Sequence, residues 1–151
     1  MTNNVRFFAT ALAASSIIAL TGCLPPPPPM EPSGRPLENQ YEDDLVFADI
    51  PVPRDFHYDR HESIRHSKGN VRIAHLVYRG AAHPKDVVKF YEDHMAQSAN
   101  GWKKNSEEIV RGTGAHLLIF SKAVGPDRVE DLCIVTVLRE RASTTITIEI
   151  K

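Results

Sequence analysis

The stretch His83-Pro84-Lys85-Asp86-Val87-Val88-Lys89-Phe90-Tyr91-Glu92-Asp93-His94-Met95, closed by Asn100-Gly101-Trp102, decides the fold. It is the one strongly helical segment in a chain otherwise patterned for strands. Pro84 suits a first helical turn and Asp86 complements the positive helix end. Val87, Val88, Tyr91 and Met95 recur at helical spacing and form one apolar stripe, which Phe90 flanks. Gly101 takes a left-handed C-terminal conformation at no steric cost, and Trp102 can fold back on the last turn. The signals at both ends predict a helix of about 16 residues.

Working outward, every neighbour reads as strand or turn. Upstream, Ile50-Pro51-Val52-Pro53 is an extended entry, because each proline disfavours helix in the residue before it. Phe56 to His61 is a candidate first strand, Ser63 to Gly69 a polar connection, and Val71 to Tyr78 a strand rich in β-branched and aromatic residues. Downstream, Glu107–Arg111 and Ala115–Lys122 flank the hairpin turn Gly112-Thr113-Gly114, and Gly125-Pro126-Asp127 marks the next turn. Leu132 to Leu138 is apolar at nearly every position, as expected of a central strand covered on both faces. In Thr144 to Ile150, Ile146, Ile148 and Ile150 alternate with Thr145, Thr147 and Glu149, the pattern of a strand with one wet face.

The predicted order is β-β-α-β-β-β-β: an α+β domain with an antiparallel sheet of five to six strands and one main helix on one face. One helix cannot cover so wide a sheet. The uncovered face is the natural place for a ligand, a partner or self-association. Tyr78-Arg79-Gly80, the Val87-Val88-Lys89-Phe90-Tyr91 segment, Met95 and Gly101-Trp102 resemble a pattern in small uncharacterised bacterial envelope proteins, many of them lipoproteins. That resemblance implies the helix-on-sheet fold and brings no activity with it.

The N-terminus has the layout of an export signal. Arg6 is the one charge before an uncharged run from Phe7 to Leu20, which is too short to span a bilayer that needs about 20 residues. The run ends in Leu20-Thr21-Gly22-Cys23, which resembles the lipobox read by the bacterial lipoprotein processing machinery. The resemblance implies cleavage between Gly22 and Cys23, a lipid on Cys23 and a mature chain starting there. Leu24 follows where some inner-membrane lipoproteins carry aspartate, so the resemblance points to the outer membrane, facing the periplasm.

Domain organisation follows: residues 1–22 as signal peptide, 23–44 as the lipidated Cys23 with a proline-rich disordered tether, and 45–151 as one domain. Pro25 to Pro29, Pro32 and Pro36 favour extended polyproline II. At ~3.1 Å per residue the tether could hold the domain on the order of 60 Å from the membrane. Cleavage removes Arg6, leaving 17 basic residues against 19 acidic ones, so charge gives no reason to expect nucleic acid as a partner. The membrane, reached through lipid on Cys23, and an envelope protein or a second copy are the expected partners. If Cys23 carries lipid, Cys133 has no cysteine to pair with.

Candidate chemistry is sparse. His57, Asp59 and His61 would share one side of a strand, with His66 close by, and imidazole with carboxylate suits zinc. Ligands on one strand cannot close a tetrahedral site, and Arg60, Arg65 and Lys68 crowd the stretch, so no metal or cofactor is assigned. Cys133 lies between Leu132 and Ile134, the setting of a buried inert thiol. No Gly-x-Ser-x-Gly elbow occurs, and no helix follows Gly112-Thr113-Gly114 as a dinucleotide loop requires. No catalytic residue is therefore assigned. The expected function is non-enzymatic binding or a structural role at the envelope. A carrier holding a small ligand or lipid between helix and sheet, beside Val88, Tyr91 and Leu118, is the alternative.

Overall fold

A computed structural model describes residues 33–40, 45–69, 71–97, 100–124 and 129–151. Gly22, Cys23 and the turn at Gly125-Pro126-Asp127 lie outside the described residues. The architecture is α+β: an antiparallel sheet of seven strands with one helix packed on it. The strands are β1 (His57–Tyr58), β2 (Ile64–Lys68), β3 (Val71–Gly80), β4 (Lys103–Ile109), β5 (His116–Val124), β6 (Val129–Glu140) and β7 (Ser143–Ile150). The helix α1 (Pro84–Met95) lies between β3 and β4. Strand order is β1-β3-β7-β6-β5-β4, with β2 also paired to β3.

The additional strand is β2, within the stretch expected to be a polar connection. All five of its residues are exposed, so no buried-face alternation marks it in the sequence. Pairing with β3, from Ile64↔His75 to Lys68↔Val71, makes it a strand. β1 pairs along the same edge of β3, through His57↔Arg79 and Tyr58↔Tyr78. β1 and β2 are thus one edge strand interrupted by the loop Asp59–Ser63, and the expected single strand Phe56–His61 is cut to two residues.

α1 is shorter than expected, at 12 residues. His83 caps its start, where Nδ1 accepts a hydrogen bond from Lys85 N at 3.2 Å. Met95 is the last residue of the apolar stripe, and beyond it Asn100 Nδ2 donates to His94 O at 2.7 Å. Gly101 has φ +69° and its N–H bonds Gln97 O at 3.0 Å, so the glycine closes the connection rather than the helix itself.

Pro84, Val87, Val88, Phe90, Tyr91 and Met95 are the buried residues of α1. They face Ala74, Leu76 and Tyr78 of β3, Ile146, Ile148 and Ile150 of β7, Val135 and Val137 of β6, and Leu118 and Phe120 of β5. The rest of this face is covered without regular structure. Ile50, Val52 and Phe56, each at most 2% exposed, enter the core from the segment expected to be an extended entry. Gly80 is where Phe56 fits, because a Cβ there would lie 2.7 Å from the ring.

β6 is central, but the described residues cover it on one face. Cys133, Val135 and Val137 are buried under α1, whereas Leu132, Ile134, Thr136 and Leu138 on the opposite face are half-buried. Sequence alone does not separate these cases, since sheet neighbours shield aliphatic side chains that no second layer covers.

Candidate functional site

The ordered body begins earlier than residue 45. Ser33–Gln40, expected within the disordered tether, lies along the domain: Arg54 N donates to Glu38 O and Gln40 N to Val52 O, both at 2.8 Å. Val52 N donates to Asn39 Oδ1 at 2.9 Å, and Gln40 Nε2 reaches Phe56 O at 2.7 Å. Leu37 packs against the core, and Glu38 pairs with Arg54. Proline favours extended backbone, and Glu38, Asn39 and Gln40, just after Pro36, supply the bonds that dock it. At its start, Ser33 N donates to Asp86 Oδ2 at 2.9 Å, so the chain arrives beside the N-terminus of α1. Arg35, Pro36, Leu37, Pro53, Ala81 and Ala82 are among the residues lining an open cleft of about 580 Å³ next to it.

At the other end of β3, a charge network ties the covering segment to the sheet. Arg72 Nη1 donates to Asp49 Oδ1 at 2.7 Å, and its Nε to Asp131 Oδ2 at 2.9 Å. Lys122 Nζ donates to Asp49 Oδ2 at 2.9 Å, and Trp102 Nε1 to the Asp49 carbonyl at 2.8 Å. The Arg72 guanidinium also lies 5.5 Å from the Phe47 ring centre and 5.8 Å from that of Trp102. Burial opposes ionisation of Asp49, but hydrogen bonds and charge from Arg72 and Lys122 outweigh it and hold the carboxyl below its ordinary range. Two cations face two carboxylates here, which gives a closed structural network with no charge left over for a ligand.

The structure does not assemble the histidine candidates into a site. β1 ends at Tyr58, and Asp59 turns to accept from the N–H groups of His61 at 3.0 Å and Glu62 at 3.3 Å while pairing with Arg79. His57, Asp59 and His61 therefore do not share a strand face. No group of three or more His, Cys, Asp or Glu able to hold a metal occurs among the described residues. His83 caps α1, and His94 stacks on Phe90 at 4.3 Å. His75 and His116 lie 3.7 Å and 3.9 Å from Glu149 and Glu107, too long for strong hydrogen bonds. Cys133 is fully buried, and burial pushes its thiol up to about 12, which suppresses the nucleophilic thiolate.

Two surfaces remain. The face of the sheet opposite α1 carries half-buried Leu117, Ile119, Leu132, Ile134 and Leu138 on β5 and β6, bounded by the polar side chains Thr145, Thr147 and Glu149 of β7. The second is the β2–β3 ribbon, where Ile64, Val71 and Ile73 are 74%, 58% and 55% exposed. Sequence reasoning missed this ribbon. The available signal was an acid-free run, since no Asp or Glu occurs from Ser63 to Lys85.

No protein-family model matches the chain, and no curated protein matches it. A solved structure of a Pseudomonas aeruginosa protein of unknown function is similar, with TM-score 0.46 and 16% identity over 78% of this chain and 83% of that one.

Proposed function

We propose that this protein is a lipid-anchored component of the bacterial envelope with a non-enzymatic binding or structural role, on the outer membrane facing the periplasm. The observation that carries the reading is Leu20-Thr21-Gly22-Cys23 at the end of the Phe7–Leu20 apolar run. Lipid on Cys23 provides stable attachment, because each buried methylene contributes about 0.8 kcal/mol and two or more chains act together. Docking of Ser33–Gln40 sharpens the geometry. Only Leu24–Pro32 then separates the anchor from the docked segment, a length of chain whose reach at polyproline spacing is at most about 30 Å. The closed Arg72 network and the buried Cys133 favour a binding role over catalysis.

The test is metabolic labelling with a fatty-acid analogue, combined with membrane fractionation. The wild-type chain is expected to carry label and to resist extraction by salt, while Cys23→Ser loses label and accumulates with its signal uncleaved. An unlabelled wild-type chain that fractionates identically to Cys23→Ser refutes the anchor.

A further inference from the structure

The stretch expected to be a connection carries Ile64, the most exposed large aliphatic side chain among the described residues at 74%, and Val71 and Ile73 on the paired strand β3 are 58% and 55% exposed; on the opposite edge strand β4, Ile109 is 63% exposed. β7 pairs with β3 only as far as Ala74↔Ile150, so Val71, Arg72 and Ile73 pair with β2 alone. The result is a two-stranded ribbon that runs past the end of β7, alongside the matching extension of β5 and β6 that Arg72 reaches at Asp131. The register puts Ile64, His66 and Lys68 on the same face as Val71 and Ile73, with Arg65 and Ser67 on the other. Among the basic residues of the acid-free run, Arg72 and Arg79 are neutralised by Asp49, Asp131, Asp59 and Glu62. Arg65 and Lys68 make no ion pair among the described residues. The ribbon is thus apolar and cationic at once.

We propose that the outer edge of β2 accepts an extended acidic segment of a partner protein as an added strand. Among the described residues β2 pairs only with β3, so its other edge offers main-chain donors and acceptors to an incoming strand. Arg65 and Lys68 select the sign of that strand through cross-strand charge pairs, and Ile64, Val71 and Ile73 supply apolar contact around it. The opposite edge of the sheet is built differently. Exposed residues of β4 mix Lys103 and Lys104 with Glu107 and Glu108, and its register shifts between Lys104 and Ser106, as in edges that discourage pairing.

The same features disfavour two other occupants. A second copy added edge to edge would gather two Arg65 and two Lys68 side chains on one short strand pair that contains no carboxylate. As for a lipid surface, the ribbon lies at the end of β3 away from Gly80 and the chain entry at Ser33, a separation of about 33 Å for ten strand residues. Here the inference rests on the anchor reading: an anchor upstream of Ser33 joins the domain at the end opposite the ribbon.

The experiment uses the detergent-solubilised full chain and a short fluorescein-labelled peptide repeating Glu-Glu-Val-Val, which puts carboxylates on both strand faces to meet Arg65 on one and Lys68 on the other, with a Lys-Lys-Val-Val peptide as control. Expected results are at least tenfold tighter binding of the acidic peptide, slowed amide exchange within Ile64–Lys68, and loss of that preference in Arg65→Glu/Lys68→Glu. Arg65→Ser/Lys68→Ser serves if the glutamates unfold the ribbon. Equal affinity for the two peptides overturns the proposal. So does protection confined to β4, a dimer that the same substitutions abolish, or preferential binding to phosphatidylglycerol vesicles. Fatty-acid labelling is read separately: an unlabelled chain that binds the acidic peptide sinks the anchor alone, and a labelled chain indifferent to it sinks the ribbon proposal alone.

Discussion

Replacing Gly80 by alanine tests the packing at the junction of β3 with the covering segment. An added Cβ would lie 2.7 Å from both Cγ and Cδ2 of Phe56 and 2.8 Å from Cε2. Carbon atoms prefer separations of about 3.5–4.0 Å, so the ring must retreat by about 1 Å. Phe56 is 1% exposed and held in the core, which leaves little room for retreat. Overpacking of this kind costs about 1–3 kcal/mol. Gly80 is not among the glycines with positive φ, so alanine adds no left-handed strain and regains about 0.4–1 kcal/mol by restricting the unfolded chain. The net expectation is a loss of about 1–2 kcal/mol, or roughly 4–8 °C in Tm for a domain of this size. Urea unfolding followed by the fluorescence of Trp102, the single tryptophan, measures it. Phe56→Leu is itself destabilising, but it removes the colliding ring, so Gly80→Ala should cost much less in that background. A full penalty that persists in Phe56→Leu, or no penalty in the wild type, refutes the proposed contact.

Other expectations follow from the same coordinates. Arg72→Ala leaves Asp131, whose side chain is 8% exposed, without its cation; stability should fall by about 3–5 kcal/mol in denaturant titration. Because the Asp49 carboxyl is held below its ordinary range, its contribution is present above the unfolded value of about 3.9 and is lost as pH falls toward the lower folded value. Thermal melts should therefore show a drop in stability below about pH 4 that is shallower in Asp49→Asn. With Cys133 buried and the proposed lipid on Cys23, a thiol reagent should find no reactive thiol in the native chain and one after denaturation; a reactive thiol in the native chain contradicts either the burial or the proposal. Arg141, at φ 54° in the connection between β6 and β7, should tolerate glycine with a gain of up to about 1 kcal/mol, read as a higher urea midpoint.

The helix, the hairpin around Gly112-Thr113-Gly114 and the inward isoleucines of β7 were legible because each depends on local information. An apolar repeat at helical period, glycines at positive φ (93° at Gly112 and 69° at Gly114), and strict alternation speak for themselves. The proposed anchor on Cys23 also rests on a local pattern, four residues after an apolar run, and lies outside the described residues. The other features are decided by residues distant in the chain. β2 has no buried face to leave a pattern, and only its register with β3 makes it a strand. Ile50 and Val52 look like an extended entry until the sheet face left open by α1 is there to receive them. Ser33–Gln40 has the composition of a tether, yet Val52, Arg54 and Phe56 satisfy its backbone and side-chain amides. Arg72, Asp49, Lys122 and Asp131 are scattered charges in the sequence, and tertiary structure makes them one network because burying any of them alone would leave a charge without a partner.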